Sequence, residues 1–133
     1  MSDFSRGLNR FVNEAVPRDF DARVRRIAMA CYQRINEISP VDKGTFLANW
    51  NMAFGEIDRA FDGSLDINDV ADKTSRVMAM IAGRQNLVGE TIFISNAAPY
   101  AIPLENGYSN QAPAGVVAPV VRLIRAAIAS GEL

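Results

Sequence analysis

The apolar stripe from Phe20 to Ile38 is the strongest single constraint on the fold. Phe20, Val24, Ile27, Ala28, Cys31, Ile35 and Ile38 recur mainly at steps of three and four, the period of one face of an α-helix. Ser39-Pro40 closes the stripe, because proline lacks an N–H and restricts the residue before it. Asp19 stands where an N-cap carboxylate would accept from the first free amides. The opposite face carries Arg23, Arg26, Gln33 and Glu37. A helix this long with one apolar face needs a second layer to cover it, and the remaining chain has to supply that layer.

Beyond Pro40 the period changes. Phe46, Ala48, Trp50, Met52 and Phe54 alternate with Leu47, Asn49, Asn51 and Ala53, which predicts a strand with one apolar face. Gly55 and Gly63 bracket a polar segment, either a hairpin tip or an irregular loop. A helix is expected from about Ile67 to Ile81, with Asp66 as N-cap and Gly83 as its stop. Glu90 to Ser95 is rich in β-branched and aromatic residues and predicts a second strand. A short helix over Tyr100 to Asn106, closed by Gly107, leads into a polar loop from Tyr108 to Gly115. The last helix spans about Gly115 to Ser130, with Val117, Val120, Val121, Ile124 and Ile128 as its apolar stripe. Pro119 must then sit in its first turn, where the missing N–H costs least. At the other end, Leu8, Phe11, Val12 and Ala15 suggest a helix from about Ser5 to Val16, weakened by Gly7 and ending near Pro17. The expected architecture is one α+β domain over residues 1–133, with a loosely attached arm at 1–17. A small, mostly antiparallel sheet packs against a long helix and a C-terminal helix.

Composition narrows function. The 133 residues are 49% hydrophobic and 22% charged, an ordinary globular balance. The net charge is -1, so no bulk electrostatic pull toward DNA or anionic membrane is expected. There is no histidine and one cysteine. That removes imidazole bases, zinc sites with a histidine ligand and clustered thiolates; an internal disulfide is also impossible. Met1-Ser2-Asp3-Phe4 lacks a basic start with an apolar run, so no signal peptide is expected. No stretch approaches a membrane span.

Candidate chemistry is sparse. Gly83 to Gly89 lacks the Lys and Ser/Thr of a phosphate loop and reads as a helix-to-strand turn. Asp58, Asp62, Asp66 and Asp69 do not follow calcium-loop spacing, so turn and cap roles are favoured. Asp42 and Glu105 are the only acid–base pair worth naming, and nothing in the sequence perturbs either. Cys31, on the stripe, reads as an inert buried thiol, and Trp50 as core with a lesser claim to a subunit interface. Arg23, Arg25, Arg26 and Arg34 on one helix, with Arg122 and Arg125 on another, read as a solvated or subunit-contacting face. No cofactor, metal site or catalytic residue is expected.

Two segments carry a resemblance. Pro40-Val41-Asp42-Lys43-Gly44-Thr45 turns into Phe46-Leu47-Ala48-Asn49-Trp50. Later come Asn96-Ala97-Ala98-Pro99-Tyr100-Ala101, Leu104-Glu105-Asn106-Gly107 and Gln111-Ala112-Pro113-Ala114-Gly115 before a terminal helix. In order and separation, over about the last two-thirds of the chain, this set resembles the minor tail, tail-completion and head–tail joining proteins of long-tailed bacteriophages. It departs from them in Lys43, where threonine is commoner, and in Pro103 and Pro119. Val41 packing, Asp42 accepting from backbone amides and Gly44 at positive φ would form the turn. The resemblance implies a virion subunit of the neck or head-proximal tail, made in the host cytoplasm. It would form a ring with copies of itself, a hexamer being one candidate size. Its other partners would be neighbouring neck and tail proteins, with non-specific proximity to DNA in the channel and no membrane. Asp42, Gly44, Trp50, Asn96, Pro99, Tyr100, Glu105, Gly107, Gln111 and Pro113 would shape the motif or its interface. The alternatives are a tail terminator or head-completion ring and, further off, a small hydrolase or a DNA-binding module.

Overall fold

The structure, a computed structural model, describes residues 3–10 and 16–133. In chain order it contains α1 (Asp3–Arg10), α2 (Val16–Ile38), α3 (Thr45–Ala48), β1 (Asn51–Phe54), a 3-10 turn (Ile67–Asp69) running into α4 (Val70–Gly83), β2 (Ile92–Ser95), α5 (Ala101–Glu105) and α6 (Val117–Ala129). The fold is α+β. β1 and β2 form a two-stranded antiparallel sheet in which Asn51 faces Ser95 and Phe54 faces Ile92. Gly55 N–H, donating to Thr91 C=O, carries the pairing one step past the strand ends.

The core lies where α2, α4 and α6 meet the sheet. Ala28, Tyr32 and Ile35 of α2 pack with Val77 and Ile81 of α4, Val120 and Ile124 of α6, and Met52 of β1. Tyr32, Ile81, Leu87 and Val116 are the largest fully buried side chains, and burying an aliphatic side chain of this size contributes about 1.5–3 kcal/mol. Tyr32 was absent from the expected stripe, yet it sits four residues after Ala28 and three before Ile35, so helical spacing alone would have found it. Its hydroxyl donates to Trp50 C=O at 3.1 Å, which satisfies the one polar atom that the ring brings inward.

Several expectations need correction. Phe46 to Ala48 is a helical turn, so the strand shrinks to Asn51–Phe54. The alternation broke because Phe46, Leu47 and Ala48 are all buried, and Ala48 N–H donates back to Gly44 C=O. Asn49 and Asn51, placed on an outward face by period two, are 2% and 5% exposed. The second strand begins at Ile92 because Glu90 N–H closes a turn onto Leu87 C=O. Asp19 lies in the first turn of α2 instead of capping it, and Pro17 opens α2 from that same turn. Phe20 is exposed. The expected first helix is seen as Asp3–Arg10 with no buried residue; its further positions Phe11, Val12 and Ala15 lie outside the described residues.

Other features follow expectation. Asp66 caps the start of the third helical stretch by accepting from Asn68 N–H at 2.8 Å, and Asp69 returns the bond to Asp66 N–H at 2.9 Å, a reciprocal capping box. Pro119 falls in the first turn of α6. Gly83 is the last residue of α4 without a left-handed turn. The terminal carbonyls are instead met by Arg25, whose guanidinium donates to Ile81 C=O and Arg84 C=O, a basic C-terminal partner in place of glycine.

Candidate functional site

The motif residues come together around the Gly44 turn and the loop after α5, and three of them, Asn96, Glu105 and Gln111, bind backbone through their side chains. Gly44 has φ 90 and backs onto Ile67, where an added Cβ would sit 2.4 Å from the Ile67 nitrogen. Lys43 C=O accepts from Ile67 N–H and Thr45 Oγ1 donates to Leu65 C=O, so the turn is welded to the approach to α4. Asp42 does not hold this turn as expected: its side chain is exposed, and no amide of the described residues donates to it. Gln111 does that work from a distance. Its Oε1 accepts from Val41 N–H at 2.8 Å and its Nε2 donates to Val41 C=O at 2.9 Å. A primary amide can serve both groups of one residue in this way because it carries a donor and an acceptor side by side.

Asn96 ties the second segment to the first. Its Nδ2 donates to Phe46 C=O at 2.8 Å, and its Oδ1 accepts from Ala98 N–H at 3.1 Å. Tyr100 stands at the start of α5 with its ring 6.1 Å from Phe46 and 6.5 Å from Phe61. Phe46 in turn meets Trp50 edge-on at 5.4 Å. Trp50 is buried, and its Nε1 donates to Ser39 Oγ at 2.8 Å, so the tryptophan belongs to the core.

Glu105 caps α6. Its carboxylate accepts from Val116 and Val117 N–H through Oε2 and from Ala118 N–H through Oε1. Burial pushes its pKa up, but the three amide bonds together outweigh it and hold the carboxyl below its ordinary range, as expected for an anion at a helix N-terminus. That commitment is the opposite of what a general acid requires. Gly107 ends α5 at φ 85, with Pro113 C=O only 2.4 Å from where a Cβ would be, so the loop back from Gly107 closes tightly upon itself. Pro99 and Pro113 are exposed turn residues.

Two concavities result. A groove of about 440 Å³ is lined by Asp42, Gly44, Phe46, Tyr100, Leu104 and Gln111. A smaller one of about 220 Å³, with Phe46 as a shared wall, is lined by Trp50, Ile94, Asn96, Ile102, Glu105 and Val117. The four loop carboxylates are used locally: Asp58 accepts from Ala60 N–H, Asp62 from Ser64, Asp66 from Asn68 and Asp69 from Asp66. Asp62 is held below its usual range by the Ser64 bonds. Among the described residues no three of His, Cys, Asp and Glu gather as metal ligands.

Sequence reasoning missed three polar anchors. Asp21 accepts from Asn86, Leu87 and Val88 N–H and so fixes the turn that buries Leu87. Asn49 donates to Thr45 C=O and Asp62 C=O and accepts from Asp62 N–H. Asn51 donates to Ala60 C=O and receives Lys73 Nζ at 2.6 Å; desolvation, aided by Arg76, lowers the lysine pKa. Apart from Thr45 C=O, four residues before Asn49, these partners lie nine or more residues away in sequence, beyond the reach of local signals. Comparison of the chain with family models, curated proteins and solved structures finds no match.

Proposed function

We propose that this chain is a structural subunit of a long-tailed phage neck or head-proximal tail end, and that copies of it form a ring that completes the tail and supports head–tail joining. The observation that carries the reading is the mutual bracing of the motif segments: Gln111 on Val41, Asn96 on Phe46, Glu105 on the start of α6. Three side chains of the motif set, Asn96, Glu105 and Gln111, are spent on shaping backbone. Their product is a rigid, grooved surface, which suits assembly by fit. Tyr100, Ile102, Tyr108 and Val117 stand exposed around that surface, with Ile102 75% and Tyr108 80% accessible. Neighbouring subunits would cover such side chains. Head-to-tail contacts between identical copies close into a ring when the rotation permits.

A tail terminator or head-completion ring is the sister reading and differs in which neighbour the ring touches. Gold-labelled antibody against the chain on purified virions tests both. Label at the head–tail junction supports the proposal. Label confined to the distal tail tip, or a virion without the protein, overturns it.

A further inference from the structure

The two outer edges of the sheet differ. Gly55 N–H donates to Thr91 C=O, its direct opposite when the register is continued. Bonded and non-bonded pairs alternate along an antiparallel ladder. Ala53–Phe93 and Asn51–Ser95 are therefore bonded pairs, while Met52, Phe54, Ile92 and Ile94 turn their N–H and C=O groups outward. On the β1 side α4 guards the edge. Met52 shares a concavity with Lys73, Arg76 and Met80, Lys73 Nζ bonds Asn51, and the Arg84 guanidinium lies 4.4 Å from the centre of the Phe54 ring. Charged side chains of this kind keep other strands off an edge. On the β2 side, among the described residues, nothing bonds the outward groups of Ile92 and Ile94, and Ile92–Ser95 holds no charge and no proline.

We propose that β2 pairs with β2 of a second copy of this chain, antiparallel, about a two-fold axis through Phe93. A row of outward N–H and C=O groups selects an extended backbone as its occupant. The sequence selects a copy of itself, because Thr91-Ile92-Phe93-Ile94-Ser95 reads alike in both directions by chemical type. The two-fold sets Ile92 against Ile94 of the second copy, Phe93 against its own counterpart and Thr91 against Ser95. Aromatic pairs and Thr–Ser pairs are both favourable across strands. The outward N–H and C=O of Ile92 and Ile94 are then all bonded. A slip of one residue would set an outward residue against one already bonded to β1; a slip of two would oppose Phe93 to Thr91 or Ser95. Like charges do not meet, since Glu90 falls opposite Asn96. Phe93 is half-buried and alternates onto the face away from the core, so its ring is free to meet its counterpart. On the core face Ile94 shares a concavity with Ile102 and Val117, which are 75% and 41% exposed, so apolar surface continues beside the strand. The contact is isologous and goes beyond the head-to-tail ring, with which it is compatible in a dihedral assembly.

Sedimentation of the full chain over a concentration series tests the pairing, for the wild type, Phe93→Lys, Phe93→Glu and an equimolar mixture of the two variants. Phe93 lies outside the core, so circular dichroism and Trp50 fluorescence should match the wild type. The wild type should pair, and each variant should bind itself at least about ten-fold more weakly, because like charges then meet at the axis. The mixture should pair again, with opposite charges facing. A second measurement does not depend on those charges. In a Cys31→Ala background, Phe93→Cys should oxidise to a disulfide-linked dimer, because Cα atoms of directly opposed non-bonded residues stand about 4.5 Å apart, within disulfide reach. Thr91→Cys, at a more exposed position, should not, because its two copies lie about 13 Å apart along the strands. A monomeric wild type, association unchanged by Phe93→Lys, a mixture that stays monomeric, or cross-linking at position 91 as fast as at 93 each overturns the pairing. The neck assignment is decided separately, by labelling of virions.

Discussion

In the helical layer Tyr32, Ile35, Val77, Ile81, Val120 and Ile124 meet side chain to side chain. In the loop layer, from Pro40 to Asn51 and from Asn96 to Gly115, the chain is held by amides and carboxylates that bond to distant backbone. The first kind of contact is non-directional and scales with area. The second depends on donor and acceptor geometry and leaves a buried group unpaired when one partner is lost. The helical layer should therefore accept changes of shape at constant volume, and the loop layer should not.

The comparison can be broken most sharply at a glycine. Gly107→Ala forces a Cβ against Pro113 C=O at a positive φ, and the expected cost is about 3–4 kcal/mol. Gly83→Ala meets open space in a helix, and it should instead stabilise by up to about 1 kcal/mol. Urea unfolding followed by Trp50 fluorescence measures both. Next in size is a matched pair. Asn49→Leu leaves Asp62 N–H and two carbonyls without their partner and should cost about 2–4 kcal/mol, from the loss of several buried bonds. Ile81→Leu in the helical core should cost less than about 1.5 kcal/mol. If the two costs are equal, the distinction between the layers fails.

Gln111→Ala removes both bonds to Val41. At this exposed site a loss of about 1 kcal/mol is expected, with hydrogen exchange accelerating at Val41 first. Glu105 gives a pH signature. Its folded pKa lies below its ordinary 4.5, so its stabilisation is complete above the unfolded pKa and is lost as pH falls through the folded value. Between about pH 6 and about pH 3 the wild type should lose more stability than Glu105→Gln, whose curve lacks that component. The smallest effect is at the exposed Arg34–Glu37 pair, 3.0 Å apart on α2, where Arg34→Ala should change stability by less than about 0.5 kcal/mol.

The same contrast explains what was legible in the sequence. Long α2, α4 and α6 announce themselves because burial repeats at the helical period, and Asp66 and Pro119 mark their starts by local rules. Gly44 and Gly107 were legible as turn glycines, though not as places where another strand of backbone touches. Period two misled over Phe46 to Phe54, because α3 buries three residues in succession and two asparagines point inward. Their acceptors are loop carbonyls as distant as Asp62 and Ala60, and no spacing rule reaches that far. Gln111 and Glu105 could be picked out by the motif set, but their actual bonds, to Val41 and to the first amides of α6, needed the fold.

The central claim is that this surface serves assembly of a phage neck. Electron microscopy of a lysate from a phage in which this gene is disrupted tests it most directly. The account predicts DNA-filled heads accumulating beside unattached or malformed tails, with joining restored by the wild-type chain supplied in trans. Normal, infectious virions in the absence of the protein would contradict it.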